Sequence, residues 1–215
     1  FKNIDSLYIA DGHHRSASSA LLAKNKEREN SKHNGDEAYN FFMSYLIPKS
    51  HLKISEFNRF VKDLNGLSKD EFLIELDATF RIENRGQEHY HPSKKHHFTM
   101  YLDGEFYSLY LRKPVYEFTN ALSKLDVEIL NNTILKPILN IKDVRNDDRL
   151  YYSANVKDSL EIKNKVDSGE FKVSFGMLPI TTEEIKEIAD EGLKMPPKST
   201  YIQPKLRSAL TIYEF

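Results

Sequence analysis

The tightest constraint on the fold is Asp103-Gly104, set between two alternating runs, His96 to Leu102 and Glu105 to Leu111. An Asp-Gly pair suits the primed turns whose twist matches that of adjacent antiparallel strands. Phe106, Leu109 and Leu111 supply strand-forming side chains, so the stretch predicts a β-hairpin. The rest of the chain alternates strand and helix patterns, and a hairpin inside it breaks a purely parallel sheet. The expectation is an α+β, or mixed α/β, fold.

Asn40 to Ile47 is a nearly continuous apolar run stopped by Pro48, and its aromatic richness predicts a buried central strand. Phe171 to Leu178, stopped by Pro179, predicts a second. Shorter strands are expected at Leu7 to Ala10, at Leu52 and Ile54 leading into Phe57 to Leu64, and at Phe80 to Ile82. Leu150 to Tyr152 and Leu210 to Tyr213 complete the strands. Phe41, Phe42, Phe171 and Phe175 are expected in the core. Helices are predicted from His14 to about Glu29, and from a Ser68/Glu71 capping box to Leu76 or Ala78. A third, within the helical periodicity of Leu122 to Leu139, is capped by Asp126 and ends before Pro137. Two more run from Val156 to Val166 and, capped by Thr181 or Thr182 with Glu184, to Glu191. No repeat or composition shift marks a boundary, so residues 1–215 are read as one domain.

Composition excludes several chemistries. The 215 residues include no cysteine, which rules out disulfides, thiolate catalysis and cysteine-held metal. A reducing, cytoplasmic setting follows as the expectation. With 31 basic and 32 acidic residues the net charge is −1, and no basic stripe favours nucleic acid. No apolar run approaches the roughly 20 residues that span a bilayer, so no membrane partner is expected. Phe1 to Asp5 reads as the middle of a domain, which predicts the C-terminal part of a longer protein. Phosphate-loop, Gly-x-Gly-x-x-Gly and Gly-x-Ser-x-Gly motifs are absent.

Chemistry concentrates in Asp11-Gly12-His13-His14-Arg15-Ser16, at the start of the first helix. A helix N-terminus carries unpaired N–H groups and partial positive charge, so it attracts phosphate. Arg15 adds a planar fork of donors. His13 and His14, about 100° apart on a helix, do not share one face; one is free to meet a ligand while the other supports the turn. The plain alternative is an exposed helix start capped by Asp11. A second cluster, Met195 to Lys205, holds Lys198, Ser199, Thr200 and Lys205 between prolines. It reads equally as a phosphate clamp or an ordinary turn. A third, Glu88, His89, His91, His96 and His97, lacks a metal-binding spacing and has Lys94 and Lys95 beside it, so it is read as a solvated loop.

Asp-Gly-His-His-Arg at 11–15 and Met-Pro-Pro-Lys-Ser-Thr-Tyr at 195–201, with Pro204-Lys205, together resemble the domain of unknown function 1015 family. The stretches 125–141 and 210–213 look similar too. Family members are about twice this length, so the chain resembles their C-terminal half. The Gly-His-His-Arg turn is similar to the phosphate-binding turn of the ParB/sulfiredoxin superfamily, some of whose relatives are free-serine kinases. The resemblance implies a ParB/sulfiredoxin-like core at the N-terminal end, with a mixed sheet and flanking helices. It implies phosphoryl transfer from ATP or ADP, with Mg2+, to a small hydroxyl metabolite such as L-serine. Asp11, His13, His14 and Arg15 would be catalytic, with Gly12, Arg15, Ser16, Lys198, Ser199 and Thr200 on the phosphates. The alternatives are a regulatory nucleotide-binding module without chemistry and a ParB-like DNA-associated protein. Asn58-Arg59 departs from the His-Arg of the family pattern, and Ala209 replaces a glycine. In kinase-like relatives the base is a carboxylate upstream of the turn, so the resemblance implies that it is to be expected in the N-terminal part that precedes this sequence.

Overall fold

The hairpin forms as expected. Asp103 and Gly104 take left-handed backbone angles (φ 50° and 79°), and the flanking strands pair from His97↔Tyr110 to Leu102↔Glu105. The computed structural model describes residues 3–115, 117–154, 159–205 and 212–214. In chain order its regular elements begin with α1 (His13–Glu29), β1 (Lys53–Ser55), β2 (Phe57–Val61), α2 (Lys69–Asp77) and β3 (Phe80–Gly86). They continue with β4 (His97–Leu102), β5 (Glu105–Leu111), α3 (Asp126–Leu130), β6 (Leu150–Ala154) and α4 (Ser159–Asp167). The last are β7 (Val173–Met177), α5 (Thr182–Asp190) and β8 (Tyr201–Gln203). The chain is α+β. It divides into two units, Phe1–Lys53 with Ile202–Phe215, and Ile54–Tyr201.

The second unit is built on a six-stranded sheet in the order β3-β5-β4-β7-β2-β6, with every neighbouring pair antiparallel. Side chains alternate between its faces. Val61, Phe98, Met100, Leu102, Tyr107, Leu109, Leu111, Val173, Phe175 and Met177 point to one face and form the main core. Phe72 and Leu76 of α2, Ile129 and Leu130 of α3, and Ile188 of α5 pack into it. Phe60, Tyr101 and Phe106 point the other way, where Ile162 and Val166 of α4 cover them with Phe171. The capping boxes at Ser68/Glu71 and Thr181/Glu184 both form and fix where α2 and α5 begin.

Two expectations in this unit shift. Leu125, not Asp126, is the N-cap of α3. The Asp126 side chain is 1% exposed, and its Oδ1 accepts the backbone N–H of His96 at 2.7 Å. The carboxylate therefore ties α3 to the start of β4 instead of capping its own helix. The single helix expected from Asp126 to before Pro137 is α3 followed by one π-helical stretch, Asn131–Leu135. The start expected for α4 at Val156 lies outside the described residues, and the helix is described from Ser159.

In the first unit α1 forms where expected, but no residue of it is buried. Leu7 to Ala10 is not a strand, and Leu7 and Ile9 are 64% and 48% exposed. Asn40 to Ile47 is not a strand either. Phe41, Phe42, Met43, Tyr45 and Leu46 are exposed, which corrects the expectation that Phe41 and Phe42 are core. An apolar run becomes a buried strand only where a partner strand and a covering layer exist, and among the described residues of this unit these runs have neither. Glu37 braces the loop after α1 by accepting from the backbone N–H groups of Asn34 and Gly35 at 2.9 and 3.0 Å. Of the terminal strand expected at 210–213, residues 210 and 211 lie outside the described residues, and Ile212 and Tyr213 are not in a strand.

Candidate functional site

The first turn of α1 holds the sequence motif in an open form. Gly12 is the N-cap at φ 80°, ψ 25°, a left-handed conformation that a side chain disfavours. No side chain caps the helix, so Asp11 is not the capping residue. A helix of 17 residues thus presents its first N–H groups without an internal acceptor. His13, His14 and Arg15 are exposed around that turn and Ser16 is half-buried. Asp11 Oδ2 lies 3.2 Å from Lys205 Nζ and 3.9 Å from Arg15 Nη2. Lys205, from the far end of the sequence, therefore joins the motif. Asp11 is the one carboxylate there, flanked by two cations. Exposed pairs of this kind contribute little to stability, so Arg15 is held only weakly.

The second cluster lies in the other unit up to Tyr201, and residues 202–205, with Lys205, belong to the first. Lys198 has a left-handed backbone (φ 52°), and its Nζ sits 6.0 Å from the centre of the Phe57 ring. Ser199 is 4% exposed and donates its hydroxyl to the Pro196 carbonyl at 2.6 Å, bracing the turn. Thr200 is half-buried.

Sequence reasoning passed over what holds this loop. Arg59 on β2 is 1% exposed and donates from Nη2 to the Lys198 carbonyl at 3.1 Å. Its Nη1 reaches the Phe57 carbonyl and, at 3.8 Å, the sulfur of Met177. The guanidinium lies 5.3 Å from the centre of the Tyr152 ring, and its Nε has no partner. Among the described residues no carboxylate pairs with it; burial lowers its pKa to about 10, against the weaker fields of Tyr152 and Glu128. A buried arginine bound to carbonyls puts positive potential directly behind Lys198. The only sequence signal was an arginine, beside Asn58, in a strand otherwise made of Phe57, Phe60 and Val61.

Beside it, register aligns a row of small and polar residues across all six strands. Glu83 faces Ser108, Ser108 faces Thr99, Thr99 faces Gly176, Asn58 lies next to Gly176, and Ser153 faces Asn58. A Cβ on Gly176 would stand 2.7 Å from both Asn58 Oδ1 and Thr99 Cγ2, so only glycine fits. Asn58, Thr99 and Ser108 are buried, and the Thr99 hydroxyl has no partner. Arg85 donates from Nε to Ser108 Oγ at 3.0 Å. Asn58 carries an amide, which has no titrating proton. An acid/base role at this position is therefore closed to this chain.

The histidine cluster disperses. The His89 and His91 rings meet at a 49° tilt, His89 stacks on Phe106, and His97 Nδ1 is 3.1 Å from the Tyr90 hydroxyl. His96 contacts the Lys124 carbonyl through Nε2 at 3.2 Å. Among the described residues no group of three histidines or carboxylates is placed to hold a metal ion. No helix among them is long and apolar enough to cross a membrane.

Comparison with known proteins fixes the family. The family described as "protein of unknown function (DUF1015)" matches residues 1–128, more than half of the chain. The chain belongs to the DUF1015 family. Among solved structures it is similar to a conserved hypothetical protein from Pyrococcus furiosus, at 16% identity and a TM-score of 0.45, over 93% of this chain and 71% of that one. It is also similar to a free serine kinase in complex with AMP, at 15% identity and TM-score 0.44, over 93% and 68%. A mutant free serine kinase in complex with ADP matches at 13% identity and TM-score 0.44, over 93% and 69%. At such identities and TM-scores these likenesses carry no argument about activity. No curated protein matches the chain.

Proposed function

We propose that this DUF1015 protein transfers a phosphoryl group between a nucleotide, ATP or ADP, and a small hydroxyl metabolite, with L-serine the first candidate. The observation that carries the proposal is the start of α1: a left-handed Gly12 cap, no capping side chain, and His13, His14 and Arg15 crowded around it. Phosphate oxygens would accept from the first-turn N–H groups, which the helix leaves unpaired. Ser16, in the same turn, adds a hydroxyl donor. Arg15 would form charge-assisted hydrogen bonds to the oxygens, and one of His13 and His14 would contribute charge or a proton. Phosphoryl transfer depends mostly on positioning and electrostatic stabilisation, which such a cradle supplies. Lys198 and Thr200 would form a second phosphate-contacting set in their own unit, with the Ser199 hydroxyl spent on the Pro196 carbonyl to brace the turn. There the Lys198 ammonium is the charged member, and Arg59 fixes its backbone.

Asp11 is the one in-motif carboxylate, but Lys205 and Arg15 already compensate it. It does not fit as a Mg2+ ligand in this arrangement, and no step is assigned to the ion. The protein is assayed with ATP or ADP and a panel of hydroxyl amino acids, with phosphoserine followed directly. Turnover that falls at least tenfold in Arg15→Ala is the expected result. Absence of product across the whole panel would sink the transferase reading. Nucleotide affinity without product would leave a regulatory nucleotide-binding module in its place.

A further inference from the structure

The second unit contains a cleft of about 490 Å³ that shares only Pro196 and Pro197 with the sequence motifs. Its walls come from three places: Glu128, Asn131 and Lys136 around the π-helical stretch, the turn Lys142 to Asn146, and Lys194 with Pro196 and Pro197. The volume lies in the range of small-molecule sites. π-helical turns recur at functional sites, because the extra residue re-aims side chains. Here the turn places Asn131, 3% exposed, in the cleft lining.

Charge makes the cleft distinct from the rest of the chain. Four cations line it, Lys136, Lys142, Arg145 and Lys194, against two carboxylates, Glu128 and Asp143, although the whole chain has a net charge of −1. Both carboxylates are already occupied by neutral donors. Glu128 accepts from the side-chain amides of Asn131 and Asn132 at 3.2 and 3.3 Å. Asp143 accepts from the Asn146 amide at 2.8 Å and the Arg145 backbone at 3.0 Å, bonds that hold its carboxyl below the usual range. Lys136 donates to Asn132 at 2.7 Å. Lys142 and Lys194 have no carboxylate partner among the described residues. Leu122, Val144, Pro196 and Pro197 supply apolar wall between the charges.

We infer that this cleft binds a phosphorylated small molecule carrying at least two negative charges and an apolar or planar body. The phosphate end would meet Lys142, Lys194, Arg145 and Lys136, and the body would lie against Pro196, Pro197, Leu122 and Val144. Two lysine charges without carboxylate partners match the charge of one phosphate dianion. The prolines immediately precede Lys198, so a ligand on them would stiffen the loop that Arg59 anchors. The inference does not rest on the role proposed for α1, which belongs to the other unit.

Titration calorimetry of the full chain with pyrophosphate and with ADP tests it, in wild type, Lys142→Gln/Lys194→Gln and Arg15→Ala. Both lysines are exposed, and unfolding curves check that the double variant is intact. The expected result is two classes of binding: one lost in Arg15→Ala, at the α1 turn, and one that persists for both probes in Arg15→Ala and weakens at least tenfold in the double variant. ADP should bind more tightly than pyrophosphate, since only ADP offers a planar body to the prolines. Affinity unchanged in the folded double variant would overturn the assignment, as would loss of all binding in Arg15→Ala alone. Tighter binding of single-stranded RNA than of ADP would overturn it in favour of a polymer.

Discussion

The two units treat the same kind of side chain in opposite ways. Phe175 and Phe98 are 0% exposed in the sheet of the second unit, whereas Phe41 and Phe42 are each 55% exposed in the first. The runs of Phe175 and of Phe41 and Phe42 read alike as sequence, each nearly continuous and stopped by a proline. The difference lies in what surrounds them. β7 lies between β4 and β2 in the sheet, and α2, α3 and α5 pack on its apolar face. Asn40 to Ile47 has no paired strand among the described residues. An apolar run states a demand for cover; only the topology shows whether the demand is met. The same contrast extends to chemistry, since Arg59, Asn58 and Ser108 of the second unit are buried while the polar groups of the α1 turn are exposed and weakly held.

The largest expected effect follows from that difference. Phe175→Ala should cost roughly 3–5 kcal/mol in denaturant unfolding, while Phe42→Ala should stay within about 0.5 kcal/mol. Equal costs would break the contrast. Gly176→Ala should follow, at roughly 1–3 kcal/mol, because its Cβ would overlap Asn58 and Thr99. A neutral result would mean that the polar row is loosely packed.

Asp126 sharpens the comparison through pH. Burial raises its pKa from 3.8 to about 7, against the hydrogen bond from His96 and the nearby Lys95, with Glu184 adding to the rise. The unfolded value is the lower one. The protonated form thus contributes stability that is fully present below about pH 3.8 and lost as pH rises through about 7. Even half of that shift is worth about 2 kcal/mol, at ~1.36 kcal/mol per unit. Asp126→Asn keeps the acceptor for His96 and removes the charge. It should raise stability at pH 8 and flatten the unfolding midpoint between pH 4 and 7. An unchanged slope would contradict the assignment.

The smallest effect on stability is expected at the other site. Arg15→Ala removes an exposed side chain held only by a 3.9 Å ion pair, so unfolding should move by less than about 0.5 kcal/mol. Its proposed consequence is on ligand affinity instead. A large loss of stability would show that Arg15 is structural.

Local chemistry was the most legible part of the sequence. The Asp103-Gly104 turn and the Ser68 and Thr181 capping boxes depend on neighbours within a few residues, and each forms. The fold class followed from the hairpin. The strands expected at Leu7 and Asn40 failed because their burial depended on partners that no local pattern specifies. Asp126 looked like a cap because it opens a helical stretch, but a contact 30 residues away claimed its side chain. Arg59 was invisible as an anchor for the same reason: its carbonyl partner lies 139 residues downstream. The six-strand polar row is a product of register, which a single sequence does not display.

The central claim is that phosphate is held by the first turn of α1. A crystal structure of the chain with ADP tests it most directly. The account predicts phosphate density within hydrogen-bonding distance of the first-turn N–H groups of α1 and of Arg15. Density confined to another place, with that turn free of phosphate at saturating ADP, would contradict it.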